Sequence, residues 1–405
     1  CSARHCSLRD AILAANANPG QDTIAFDLPA NAVIQPTSLL PEITDSVIID
    51  GWTQPGYTDV PIVVIDGSLA GNSDRYFPDH HGLNLSGGNN TVRGLVINNF
   101  DGAGLYFHAN GGNTVIGNYL GIDVAGAVAE GNYHGLYIND VDNNQIGGVS
   151  AQDRNLISGN RQNGAYITGN NQVIEGNFIG TDTVGTAAIS ITNYRGIGLF
   201  VRGDNIRIGG INPTPETACS GACNLIAGNL GDHSLQVFNA SNVAIQGNFI
   251  GYDVQGLNVL SSPSIELQYV TGDFLFGGNA IQERNLVSAL LFVLSEIEIR
   301  GNLFSVNLAG AIAPANSSLQ LRSAGQILLS DNQLPRISWN SAANPLIVEN
   351  NYIGVTLDGT VFSHSAQSVD VRSGSLILRN NVIAKHLRIP ITSLMENNWI
   401  GAMPN

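Results

Sequence analysis

Short apolar runs punctuated by Gly and Asn fill most of the chain, and one stretch is written again and again. Residues 171–186 read NQVIEGNFIGTDTVGT, residues 113–126 read NTVIGNYLGIDVAG, and residues 242–256 read NVAIQGNFIGYDVQG. Weaker copies follow at 298–303 (EIRGNL), 346–359 (LIVENNYIGVTLDG), 376–383 (LILRNNVI) and 394–401 (LMENNWIG). The shared pattern is apolar, polar, Gly or Asn, Asn, often an aromatic, then Ile-Gly. A unit of this size cannot bury its apolar face alone, so the repeat predicts stacked coils. It speaks to a fold and says little about an activity.

From about Gly82 most coils open on a short strand, as at Gly82–Leu85, Gly104–Phe107, Gly135–Ile138, Gly164–Ile167, Gly196–Phe200, Ser234–Phe238, Ser264–Gln268, Leu290–Leu294 and Ser318–Leu321. A second strand follows, such as NTVRGLVI, and then a Gly/Asn bend. Strands this short, returning once per coil, predict an all-β parallel β-helix with rungs about 4.8 Å apart. Two kinds of coil alternate. One carries the loop Gly121–Gly126 and its equivalents around Asp182 and Asp253, and the other carries RNLISGN (154–160), CNLIAGN (223–229) or RNLVSAL (284–290). Like loops therefore recur every second rung. Ahead of the coils, residues 7–17 (SLRDAILAANA) predict one helix, with Ser7 as N-cap and Asn18-Pro19-Gly20 as its stop. Short strands at Thr23–Phe26, Ala32–Ile34, Ser46–Ile49 and Ile62–Ile65 come next. Residues 1–81 are expected to cap the stack, and residues 82–405 to form a single continuous solenoid.

Composition narrows the partners. The 405 residues are 43% apolar and 12% charged, with a net charge of −15 and Lys385 as the only lysine. No basic stripe exists to track phosphates, which argues against nucleic acid and against anionic membrane surfaces. No apolar run approaches the roughly 18 residues of a membrane span. The four cysteines form close pairs, Cys1/Cys6 and Cys219/Cys223, and of three connectivities the two local ones need no assumption about the fold. Neither pair has zinc-ligand company, so two local disulfides and an extracellular or cell-surface location are expected. Without a signal peptide the chain reads as mature or trimmed. Cys1 also permits a lipidated terminus, although a bridge to Cys6 explains it more simply.

The opening CSLRDAILAAN, preceded by Cys1, resembles the CSLREA-type N-terminal segment of secreted bacterial β-helix proteins, and GNFIGTDTVGT and RNLISGN look like the repeats that follow it there. The resemblance runs to about Gly256. It implies a right-handed parallel β-helix and export. That family carries no catalytic residues over to this chain.

Candidate chemistry is sparse. Asn118, Asn177, Asn248, Asn302, Asn351, Asn381 and Asn398 hold one repeat position, where a stacked, structural asparagine ladder is expected. The position after it is often aromatic (Tyr119, Phe178, Phe249, Tyr352, Trp399), suited to packing or to stacking on sugars. Asp123, Asp182 and Asp253 are weak calcium candidates. Two rungs apart they cannot share one ion, and Asx turns or pairing with Arg154 and Arg284 explain them more plainly. No cofactor beyond that calcium is implied. Paired glycosidase carboxylates should stand about 5–9.5 Å apart. Asp140/Asp142 and Glu296/Glu298 would share a strand face, but a solvated face accounts for them, and His80-His81 reads as an exposed loop. No catalytic constellation emerges. Asn84, Asn89, Asn239 and Asn316 head Asn-x-Ser/Thr sequons, which a bacterial protein would leave unmodified. Residues 397–405 still spell the coil motif without a capping helix, which suggests a trimmed chain or a paired terminal rung. The expected function is a non-catalytic structural or adhesive surface protein, self-assembling head to tail or bound to surface polysaccharide. The alternative is a polysaccharide lyase or hydrolase, recognisable by a groove of convergent carboxylates.

Overall fold

The computed structural model describes residues 6–72, 79–190, 196–229, 231, 233–261, 264–288, 291–294, 296–312, 319–321, 326–339, 345–355, 369–384, 387–390 and 393–401. The chain divides into two compact units, residues 1–202 with 228–231, and residues 203–227 with 232–405.

The helix spans Leu8–Ala17 and begins with a capping box: Ser7 Oγ accepts from the Asp10 N–H, and the Asp10 carboxylate accepts from the Ser7 N–H. Leu8, Ile12 and Ala15 form its buried stripe. Asn16 ties it to the following segment, donating to Glu42 O and accepting from Thr44 N.

In the first unit each regular coil contributes one strand to each of three faces. Leu105–His108, Thr114–Ile116 and Tyr119–Leu120 make one coil. Leu136–Asn139, Gln145–Gly147 and Leu156–Ile157 make the next, and Ala165–Thr168, Val173–Glu175 and Phe178–Ile179 the one after. Every pairing between them is parallel and in register. This is a parallel β-helix. Alternation along a strand sends Leu105 and Phe107 inward and leaves Tyr106 and His108 facing outward. Inward residues then stack on their equivalents: Leu105 pairs with Leu136 and Leu136 with Ala165, while Val92, Val115, Ile146 and Ile174 line the second face. All of these are at most 1% exposed, a continuous apolar column.

The second unit repeats the scheme. Ser264–Thr271, Leu275–Gly277 and Leu286–Val287 make one of its coils, and Leu346–Glu349, Tyr352–Ile353 and Val369–Val371 lie further along. Trp339, fully buried, is the largest side chain in that core.

Several predicted boundaries move. The first strands are Asp22–Ala25, Val33–Ile34, Val47–Asp50 and Val63–Asp66. NTVRGLVI is two strands, Thr91–Arg93 and Leu95–Asn98, because Gly94 at φ +69° turns the corner between them. The expected alternation of coils is present. The aspartate loops close on antiparallel bridges Ile122↔Ala129 and Thr181↔Ala188 in the first unit and Tyr252↔Val259 in the second, where a further loop with Asn307 in the aspartate's place closes on Val306↔Ile312. Loops two coils apart touch: a Cβ on Gly126 (φ +65°) would run into Thr183 Cγ2.

Candidate functional site

The repeat asparagines, buried except for the half-buried Asn398, are hydrogen-bonded from coil to coil. Asn118 donates its side-chain and backbone N–H groups to Asn155 Oδ1 (3.2 and 3.0 Å), and Asn155 Nδ2 donates to Asn177 Oδ1 (2.9 Å). In the second unit the run is Asn224, Asn248, Asn285, Asn302, Asn332, Asn351, Asn381 and Asn398, each donating to the next. Asn155, Asn224, Asn285 and Asn332 come from the alternate coils, which the repeat alignment had not matched to this position. A second run, Asn90–Asn113–Asn144–Gln172, crosses the first unit at another corner. These amides satisfy one another and the strand-end carbonyls, so they offer little to a ligand.

The aspartates serve their own loops. Asp123 Oδ1 accepts from the N–H groups of Ala127 and Val128, Asp182 Oδ1 from Thr186 and Ala187, and Asp253 Oδ1 from Leu257. The arginine pairing expected of them goes elsewhere. Arg154 Nε donates to Gly176 O (3.3 Å) with its guanidinium 4.0 Å over the Phe178 ring, and Arg284 Nε donates to Gly301 O (2.9 Å). Among the described residues no group of three or more His, Cys, Asp or Glu could hold a metal ion. Cys219 and Cys223 form a disulfide; Cys6 is also in a disulfide, and Cys1 lies outside the described residues.

The two candidate carboxylate pairs are placed differently. Asp140 (φ +52°) sits in the bend after Leu136–Asn139, so it and Asp142 share no strand face. Glu298 faces outward and pairs with Arg300, whereas Glu296 accepts from Gln326 N. Asn316 and Asp358, the aspartate of the 346–359 copy, lie outside the described residues.

What the repeat did not announce is an aromatic row on the first face of the first unit. Asn84, Tyr106, Tyr137, Tyr166 and Phe200 occupy one outward register position on successive strands. Ring centroids are 5.0 Å apart for Tyr106–Tyr137, 5.3 Å for Tyr137–Tyr166 (near perpendicular, 87°) and 4.3 Å for Tyr166–Phe200 (stacked, 7°). Phe200 is buried, and the three tyrosines are half-buried. Burial pushes the Tyr137 hydroxyl up to about 12 and raises Tyr166, so the phenols remain neutral donors. Two residues further along the strands runs a polar row containing His108, Asn139, Thr168 and Arg202. His108 Nε2 lies 3.0 Å from Asn84 Oδ1, and Asn139 Nδ2 donates to the Tyr106 hydroxyl at 3.3 Å.

Histidines brace the edge of this row. His81, expected in an exposed loop, is half-buried with its ring 4.3 Å from Tyr106. Its Nδ1 accepts from Ala103 N (2.9 Å). His134, at the same place ahead of a strand-opening Gly, accepts from Asn163 N (3.2 Å), and Asn163 Oδ1 in turn accepts from Ile197 N (2.9 Å). Burial lowers both histidines to about 4. They are neutral packing groups at physiological pH.

In the second unit His233 Nδ1 lies 2.6 Å from Ser264 Oγ and its Nε2 3.4 Å from Glu266, which also accepts from Gln236. This chain of contacts ties neighbouring strands together.

Fold and site thus define a parallel β-solenoid with an outward aromatic face. No protein-family model matches the chain, and neither a curated protein nor a solved structure matches it. Among the described residues no helix is long and apolar enough to cross a membrane.

Proposed function

We propose that this chain is an exported, non-catalytic structural or adhesive solenoid whose first-unit aromatic face binds a polysaccharide. The observation that carries this reading is the row Tyr106–Tyr137–Tyr166–Phe200 running beside His108, Asn139 and Arg202. Strands about 4.8 Å apart repeat at a spacing comparable to one pyranose ring. The aromatic row offers apolar edges to sugar C–H groups, and the polar row offers donors and acceptors to hydroxyls. Export is supported by the Cys219–Cys223 bridge, by the absence of free cysteine among the described residues, and by the likeness of CSLRDAILAAN to the opening of secreted β-helix proteins.

Affinity electrophoresis over a panel of neutral and acidic polysaccharides tests the reading. At least one gel should retard the wild type, and Tyr137→Ala/Tyr166→Ala should lose most of the retardation at unchanged far-UV circular dichroism. A panel that retards neither protein, or both equally, refutes it. Reducing ends or unsaturated products released in the same incubations would favour the lyase or hydrolase alternative.

Self-association is a second proposal. The strands Leu394–Glu396 and Trp399–Ile400 leave Leu394, Met395 and Ile400 exposed, and further coils, of this chain or of a second copy, would cover them. Sedimentation velocity across a concentration series tests the second-copy form, and a monomer throughout removes it.

A further inference from the structure

The aromatic row leaves a second feature of the first unit unexplained. Arg154, Tyr119, Phe178, Pro61, Val60 and Val184 line a hollow of about 210 Å³ on the third face. That is below the roughly 300–1,000 Å³ of sites for drug-sized ligands and leaves room for about one ring. Tyr119 and Phe178 are buried, whereas Val60 and Val184 are 42% and 60% exposed at the rim. Arg154 is half-buried, Nε donates to Gly176 O, and the guanidinium carbon lies 4.0 Å from the Phe178 ring centroid. Among the described residues no carboxylate pairs with it, and its terminal N–H groups have no hydrogen-bond partner. The neighbouring Asp153 carboxylate accepts from Ser150 Oγ at 2.6 Å.

The repeat supplies its own controls. Arg284 holds the same position in a later coil and makes the same bond to the following glycine carbonyl, but Glu216 lies near enough to stabilise its charge, and Leu303 stands where Phe178 does. At the third copy Cys223 replaces the arginine and is bridged to Cys219. Of the three copies, Arg154 is the one whose guanidinium stands over Phe178 at an open hollow, with no carboxylate paired to it among the described residues. A half-desolvated guanidinium with free N–H groups is matched by a carboxylate, which accepts two parallel bonds from its fork.

We infer that this hollow is a binding site for a single ring bearing one carboxylate. The carboxylate sits on the Arg154 fork, and the ring lies against Tyr119 and the apolar wall of Pro61 and Val184. The exposed Asp59 at the rim and the net charge of −15 disfavour a polyanion, so the ligand carries one acid, not a run of them. Such a ring comes either as a free cyclic acid or as the terminal acidic sugar of a glycan. The site is separate from the aromatic face, and neither proposal depends on the other.

Isothermal titration of the full chain with sodium D-glucuronate, sodium benzoate and D-glucose tests it. One or both carboxylates should bind saturably and glucose should not. Preference for glucuronate identifies the sugar source, and preference for benzoate or equal binding identifies the free acid. Arg154→Gln should weaken binding about tenfold to a hundredfold, the loss expected for charge-assisted hydrogen bonds. Arg154→Lys should recover only part of it, because an ammonium cannot form the fork. Val184→Trp, on an exposed loop, should fill the hollow and block binding even if Arg154→Gln folds poorly. Tyr137→Ala should leave the titration unchanged. Equal affinity for glucose, full binding by Arg154→Gln or Val184→Trp, or no heat from either carboxylate with folded wild type overturns the inference.

Discussion

Acid should loosen the first unit well before its carboxylates protonate, because His81 and His134 fold as neutral rings. Each Nδ1 accepts a backbone N–H, from Ala103 and from Asn163, so protonation would both charge a buried ring and orphan an amide. Burial lowers each folded pKa from 6.5 to about 4; Asp79 pulls His81 back up, whereas His80 and His108 push it further down, and His81 lowers His134. Above pH 6.5 both states are neutral and the full stability is present. As pH falls toward 4 the unfolded chain takes up protons that the folded one refuses, and stability is lost. At pH 5 the loss is about 2 kcal/mol per ring from those two values, and an edge of each ring in solvent brings the expectation to about 1 kcal/mol each. Urea unfolding followed by tyrosine fluorescence at pH 7.5, 6 and 5 measures it. The control is built into the chain: Asn163 performs the same acceptor task toward Ile197 without a titrating group. His81→Asn/His134→Asn should therefore flatten the slope between pH 7.5 and 5, whatever it does to absolute stability by removing ring contacts. A double variant with the wild-type slope would refute the assignment.

Three other outcomes follow from particular contacts. Asn155→Ala removes a fully buried amide that serves Asn118, Val115 O and Asn177, and should cost about 3–5 kcal/mol by chemical denaturation. Asp123→Ala should cost about 1 kcal/mol while Asp123→Asn is near neutral, because Asn307 fills the equivalent place and accepts from Ala309 and Ala311. Melting with and without EDTA should agree if loop capping is the whole role of these aspartates. Cys219→Ser/Cys223→Ser opens a short loop and should lower stability by about 2 kcal/mol, read from paired denaturation curves under non-reducing conditions.

The stacking of coils was legible because every inward row repeats the same short apolar word, and the Asn-Gly corners mark where strands stop. Ser7 wrote the helix start equally plainly, and the structure adds Asp10 as its partner in the capping box. The ladder was only half visible. Asn118 and Asn177 share a word, GN followed by an aromatic, whereas Asn155 sits in RNLISGN, and only the pairing of Leu156 with Tyr119 and with Phe178 brings the two words together. The aromatic row was hidden for a related reason. Tyr106, Tyr137, Tyr166 and Phe200 each follow a strand-opening apolar residue, but coils of unequal length separate them, and period-two alternation does not say that outward rings will meet. Sequence left Asx turns and pairing with Arg154 as two accounts of the aspartates; in the fold the aspartates cap their own loops, and Arg154 meets Phe178 and a glycine carbonyl instead.

The contact between the Gly126 and Thr183 loops has a consequence for how such a chain can grow or shrink. Two coils, not one, form the unit that can be copied or lost without penalty. Removing a pair brings like loop onto like loop and leaves the asparagine order intact. Removing a single coil would set an aspartate loop directly against another on the next rung, at half the separation that the Gly126–Thr183 contact fits. Length variants of this protein should therefore differ by even numbers of coils.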